Sequence, residues 1–255
     1  MTKSMLIDTS KCIGCRACQV ACKQWNQLPA EKTVFTGEYE NPPHFSPVTW
    51  TKISFNEYFE DGRLHWFFTK QGCMHCTDAA CMKVCPAGAI YRTEFGTVAV
   101  DSNKCIGCNY CVANCTYNVM GFDQVAHVAR KCTFCLDRIS NGLIPACVKT
   151  CPSGALAYGE RADMVRKAEQ RLFKLQEAGN EGANIYGLDE LDGLGVLYIL
   201  EDRPAKYGLL ESPRVSTAAH IWSYIFKPVR VLVVAAMAFA LWFNRKESKG
   251  EDLSK

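Results

Sequence analysis

The chain has 255 residues, room for one large domain or two small ones, and its 29 basic and 26 acidic residues nearly cancel at a formal +3. That balance excludes a strongly basic nucleic-acid binder. Sixteen cysteines in this length are far above ordinary usage, so cysteine chemistry dominates the reading.

The N-terminal stretch MTKSMLIDTSKC lacks the apolar core of a signal peptide. The expectation is a chain that stays in the cytoplasm, or one exported already folded beside a partner that carries the signal. The first cysteine group follows at once: Cys12, Cys15, Cys18 and Cys22, in KCIGCRACQVACK. The residues after its triplet, RACQVACKQW, read as a short helix. Residues 24–72 then carry Trp25, Trp50 and Trp66 among several Phe and Tyr. They predict a strand-containing lid in which the tryptophans serve packing.

The second group is Cys73, Cys76, Cys81 and Cys85, followed by Pro86; AIYR and TVAV around Gly96 then read as a β-hairpin. The third is Cys105, Cys108, Cys111 and Cys115. The fourth is Cys132, Cys135, Cys147 and Cys151, followed by Pro152, with SNGLIPA stretching its second gap to eleven residues as a surface loop. No cysteine is left over. DTSKCIGCRACQVAC (8–22) matches DSNKCIGCNYCVANC (101–115), and CMKVCPAGAIY (81–91) matches CVKTCPSGALAY (147–158), so a unit of two groups is doubled.

Residues 161–179 show helical periodicity through Met164, Val165, Ala168, Leu172 and Leu175, with Gly179 as the terminator. GVLYIL (195–200) reads as a strand. The tail has thirteen uninterrupted apolar residues from Val231 to Phe243, and reaches 23 when extended back to Ile221 across Lys227 and Arg230. Trp222, Tyr224 and Trp242 suit the two membrane interfaces, so a membrane helix is expected. Basic residues flank both ends and leave its orientation open.

The triplets C-x2-C-x2-C wrap three thiolates about one cluster of iron and sulfide, and the fourth cysteine of such a run ligates the other cluster of a pair. Zinc sites instead separate two C-x2-C pairs by a dozen or more residues, which only group four partly resembles. Tight C-x2-C pairs make poor disulfides, and no C-x-x-C-H occurs for covalent haem. The expectation is four [4Fe–4S] clusters, since a three-iron cluster would need a missing cysteine. Each cluster with four thiolates carries about −2, turning the formal charge to roughly −5. Lys11, Arg16, Lys23, Lys70, Lys83, Lys104, Arg130, Lys131 and Lys149 flank the groups and offset it. Four clusters with no nucleotide loop or acid–base pair mean electron conduction, not catalysis. Spacing leaves two pairings open: group one with two and three with four, or two with three inside one with four.

This pattern resembles the four-cluster iron–sulfur subunits of molybdenum- or tungsten-bisPGD oxidoreductases. CIGCRACQVACKQWN, IPACVKTCPSGALAYG, the AEQRLFKL helix and FKPVRVLVVAAMAFALWF resemble the β subunit of membrane-bound formate dehydrogenase. The resemblance implies an α+β fold of two nested bacterial ferredoxin-like 2[4Fe–4S] units plus one C-terminal transmembrane helix. Groups one and four would form the outer unit and residues 73–115 the inner one, together spanning 1–160. A helix/strand extension over 161–217, a transmembrane or membrane-associated helix over 218–244 and a charged tail over 245–255 would follow. Cys12, Cys15, Cys18 and Cys151 would hold one cluster, and Cys22, Cys132, Cys135 and Cys147 a second. Cys73, Cys76, Cys81 and Cys115 would hold a third, and Cys85, Cys105, Cys108 and Cys111 the fourth. The resemblance further implies a molybdenum- or tungsten-bisPGD catalytic partner and a membrane cytochrome b with haem and quinone. It places the iron–sulfur domain on the extracytoplasmic face, with the cytoplasmic face as the alternative. The tail departs from the family in its short apolar run and in Arg230.

The rival readings are the equivalent subunit of a thiosulfate, polysulfide, nitrate or sulfoxide reductase or of a membrane hydrogenase, a free-standing polyferredoxin, and a zinc-stapled module. His75, inside CMHC, is a candidate for hydrogen bonding to a cluster or for plain packing. His220 is a candidate for facing a cytochrome or quinone site, or for an ordinary interface.

Overall fold

The computed structural model describes residues 2–60, 62–226, 229, 233, 235–237 and 239–241. The apolar KSMLID forms β1 (Lys3–Asp8) before the first cysteine group, and α1 (Ala17–Trp25) follows the triplet. The aromatic-rich insertion forms β2 (Thr51–Glu60) and β3 (Arg63–Gly72). Groups two and three carry α2 (Ala80–Lys83), β4 (Ile90–Arg92), β5 (Val98–Val100), α3 (Tyr110–Ala113), β6 (Gly121–Asp123) and β7 (Val128–Arg130). Group four carries α4 (Leu136–Ile139) and α5 (Ala146–Lys149). Beyond it lie β8 (Leu156–Glu160), α6 (Arg161–Glu177), β9 (Asn184–Tyr186), β10 (Val196–Leu200) and α7 (Thr217–Ile221).

One four-stranded sheet, in the order β8-β1-β10-β9, organises the molecule. β1 runs antiparallel to β8 (Leu6 opposite Ala157) and parallel to β10 (Met5 opposite Val196). The chain before group one is therefore stitched to the chain after group four. Strand periodicity sends Leu6, Leu197 and Ile199 to one face, where Met164, Ala168 and Leu175 of α6 cover them. Met5, Ile7, Val196, Tyr198 and Leu200 line the other face and pack with Ile53, Met74 and Phe134 near the cysteines. With both faces covered, β10 is buried at all five positions, and each large side chain sealed there contributes about 1.5–3 kcal/mol.

Around the cysteines α1 packs on α5, and α2 on α3. The hairpins β4/β5 and β6/β7 enclose a second core of Val84, Ala89, Ile90, Val98, Met120 and Ala129. The insertion docks on this core through a close approach: a Cβ on Gly121 would lie 2.1 Å from the Pro47 nitrogen, so only glycine fits. Within the insertion Trp50 is buried, whereas Trp25 and Trp66 stay 42% and 40% exposed. The Arg138 guanidinium lies over the Trp25 ring and Trp66 meets Tyr39 edge-on.

The Ser216 hydroxyl caps α7 by accepting from the Ala219 N–H and is itself 2.9 Å from Asn114 Oδ1. Ala219 is fully buried against the second core, and Trp222 packs edge-on against Tyr110. α7 continues into a π-helical turn, Trp222–Phe226. Among the described residues no helix is long and apolar enough to cross a membrane. Much of the membrane helix expected over 218–244, with Lys227, Arg230 and Trp242, lies outside the described residues, as does the charged tail over 245–255.

Candidate metal centres

The first C-x2-C motif of each group shares one backbone device. The residue before its second cysteine is left-handed: Gly14 at φ 66°, His75 at 49°, Gly107 at 71° and Phe134 at 60°. This turn folds the loop back on itself, which in groups one to three brings its two cysteines to one cavity. Gly14 and Gly107, in the repeated KCIGC, adopt it without steric cost. His75 and Phe134 carry a Cβ and take the turn at a cost, largest for the bulky Phe134, offset by the packing around them. In groups one and three Arg16 and Asn109 are left-handed too and open α1 and α3.

None of the sixteen cysteines forms a disulfide. Cys12, Cys15, Cys18 and Cys151 line one cavity with Ile7, Ile53 and Lys70. Cys73, Cys76, Cys81 and Cys115 line a second with His75, Val98 and Lys131. Cys85, Cys105, Cys108 and Cys111 line a third with Ile90 and Phe122. Cys22, Cys132, Cys135 and Cys147 also lie close together: Cys132 feels Cys22 and Cys135, and Cys135 feels Cys147 and Cys22. Four thiolates on a single zinc would stand only ~3.8 Å apart, from Zn–S bonds of about 2.3 Å. Among the described residues no three His, Cys, Asp or Glu converge tightly enough for a single ion. Thiols spread around a cavity suit a group with several metal corners.

Electrostatics point the same way. Burial pushes the thiols of Cys18, Cys81, Cys111 and Cys135 up to about 12. It also raises those of Cys12, Cys22, Cys76, Cys115, Cys132 and Cys147. Thiolates in so dry a setting need cations among them, and iron would supply these. Two lysines add fixed positive charge. Burial disfavours the charge on Lys70, but Cys147, Cys132, Tyr198 and Cys18 outweigh it and hold the ammonium protonated. Lys131 is likewise disfavoured by burial and held charged by Cys73, Cys81 and Cys132; its Nζ donates to the carbonyls of Val98 and Cys132.

The nine basic residues that flank the groups thus differ in their setting. Lys70 and Lys131 are 5% and 3% exposed, whereas Lys11 and Lys104 are exposed at the surface. Spacing carries no signal for that difference, because all of them lie within three residues of a cysteine. Phe134 is the site residue that the motifs alone pass over. Its only signal is that it replaces, in C-T-F-C, the glycine of C-I-G-C. His220 sits 3.4 Å from Lys83 Nζ through its Nδ1 and stacks on Tyr224.

Two family models described as 4Fe-4S dicluster domains match the chain, over residues 11–89 and 64–161. The iron-sulfur subunit of the nitrate-inducible formate dehydrogenase of Escherichia coli K12 is 44% identical over 243 residues, 94% of this chain and 83% of that one. The chain belongs to the family of formate dehydrogenase iron–sulfur subunits. As a formate dehydrogenase iron–sulfur subunit it is an electron-transfer protein with four [4Fe–4S] clusters, and it is not a catalyst by itself. Its relatives extend beyond one enzyme. Formate dehydrogenase 2 subunit beta (cytochrome c-553) of Nitratidesulfovibrio vulgaris is 34% identical, over 81% of this chain and 97% of that one. A thiosulfate reductase electron transfer subunit of Salmonella typhi is 39% identical, over 73% of this chain and 92% of that one.

Proposed function

We propose that this subunit conducts electrons between a formate-oxidising catalytic chain and a membrane cytochrome b with its quinone. Cys12, Cys15, Cys18 and Cys151 hold cluster A, and Cys22, Cys132, Cys135 and Cys147 hold cluster B. Cys73, Cys76, Cys81 and Cys115 hold cluster C, and Cys85, Cys105, Cys108 and Cys111 hold cluster D. A and B belong to an outer ferredoxin-like unit and C and D to an inner one, within residues 1–160. Residues 161–217 extend the outer unit by strands and a helix.

The observation that carries this reading is a continuous line of neighbouring thiols. Cys18 interacts with Cys147, Cys132 with Cys73, and Cys81 with Cys111. Each of these electrostatic interactions joins one set to the next, in the order A, B, C, D. Electron tunnelling falls steeply with distance, so an unbranched row of close centres suits conduction from one end to the other. The pairing of β1 with β8, and of α1 with α5, supports the nested arrangement over the sequential one. The overlapping family matches follow chain order and do not bear on which cysteines share a cluster.

The tail orients the row. Trp222, within residues 218–244, packs on Tyr110 beside Cys111, so D is the end nearest the start of that segment. That segment anchors the subunit to the membrane beside the cytochrome, the catalytic chain docks at the A end, and the iron–sulfur domain lies on the extracytoplasmic face. Purification from membranes in mild detergent tests the reading. A co-purifying formate-oxidising molybdenum or tungsten chain with a haem-bearing subunit is the expected result. A thiosulfate-reducing partner, which the Salmonella relative would favour, or a nickel–iron partner would overturn the formate assignment.

A further inference from the structure

Among the described residues, His75 presents a buried hydrogen-bond donor without an acceptor. Its Nδ1 accepts the Val98 N–H at 3.1 Å, which fixes the proton of the neutral ring on Nε2. Nε2 is buried with no partner, in a residue only 1% exposed. The ring lines the cavity of Cys73, Cys76, Cys81 and Cys115, among Met74, Ala79, Ala80 and Val98. Its position is held from three sides. Gly195 N–H donates to the carbonyls of Met74 (2.9 Å) and His75 (3.2 Å), and a Cβ at Gly195 would stand 2.9 Å from His75 Cβ. The Phe134 ring meets the imidazole edge to face with centroids 4.7 Å apart. The backbone of His75 itself takes the left-handed conformation that Gly14 and Gly107 fill elsewhere.

We propose that His75 donates its Nε2–H to a sulfur of cluster C and thereby raises the reduction potential of that cluster alone. The proposal rests on the ligand set assigned above. A cluster sulfur would give Nε2–H the acceptor that the described residues do not, and a buried donor of this kind is expected to find one. Hydrogen bonds to cluster sulfur stabilise the reduced, more negative state and so raise the potential. The equivalent positions in the other three motifs, Gly14, Gly107 and Phe134, carry no side-chain donor, so the effect is confined to one centre. His75 is a positioning and tuning residue rather than a ligand.

The test is a redox titration followed by electron paramagnetic resonance on the intact complex, comparing wild type with His75→Leu. Cys115→Ala, which should lose cluster C, marks which signal belongs to it. His75→Leu should lower the reduced-to-oxidised ratio of that signal about tenfold at fixed potential, a fall of 59 mV for a one-electron couple. The other three centres should not move. An unchanged potential with full iron content overturns the hydrogen bond. A shift confined to a signal that Cys115→Ala spares overturns the ligand set instead. If His75→Leu does not load cluster C, wild-type complex with nitrogen-15-labelled histidine decides. A resolved nitrogen hyperfine coupling on the cluster C signal supports the contact, and its absence overturns it.

Discussion

His75 and Phe134 occupy the same place in their C-x2-C motifs, share a left-handed backbone, and pack ring against ring with centroids 4.7 Å apart. The contact joins group two to group four. Phe134 is 1% exposed and belongs to the same core as Met5, Ile7 and Tyr198. Removing its ring leaves a cavity at that junction. Phe134→Ala should cost about 3–5 kcal/mol. The temperature at which the iron–sulfur absorbance bleaches should fall accordingly, with the outer cluster of Cys132 and Cys135 lost first.

Lys131 carries the second prediction. Its ammonium lies within the influence of Cys73 and Cys81 on one side and Cys132 on the other. A unit charge a few ångströms away, at an effective dielectric of about 20, is worth on the order of 2–4 kcal/mol. Lys131→Met keeps the stem and removes the charge. It should lower the potentials of the two clusters that these cysteines serve and leave the Cys12–Cys151 cluster unmoved, as read by redox titration.

Loading should depend on pH with a definite sign. In the metal-free chain burial raises the thiols, four of them to about 12, while iron binds only thiolate. Cluster insertion therefore releases protons and grows more favourable as pH rises. An exposed cysteine would level off near about pH 8.5; loading here should keep improving beyond it. Stability of the metal-free fold runs the other way. The raised thiols cost it nothing below about pH 9 and progressively more as pH climbs toward 12. Anaerobic reconstitution with proton release measured at several pH values checks the sign.

Much of this was legible in the sequence because it is local. The cysteine spacing, the helix read over 161–179 and found as α6 (Arg161–Glu177), the strand at 195–200 and the hairpin about Gly96 each rest on neighbours in the chain. The sheet was not legible. β10 lies parallel to β1 across almost two hundred residues, and no periodicity encodes which distant strand will pair. Charge burial was hidden for the same reason: Lys70 and Lys104 each sit close to cysteines in the chain, yet only the fold encloses one and leaves the other in solvent.

The central claim is that cysteines distant in sequence share clusters, and Cys22 tests it most directly. Cys22 lies beside Cys132, Cys135 and Cys147, far along the chain, while its neighbours Cys12, Cys15 and Cys18 face Cys151. Electron paramagnetic resonance of reduced Cys22→Ala should match that of Cys147→Ala, with one cluster missing and the Cys12–Cys151 signal retained. A Cys22→Ala spectrum that instead matches Cys12→Ala, with the group-one cluster gone and the Cys132–Cys147 cluster intact, would contradict the nested wire.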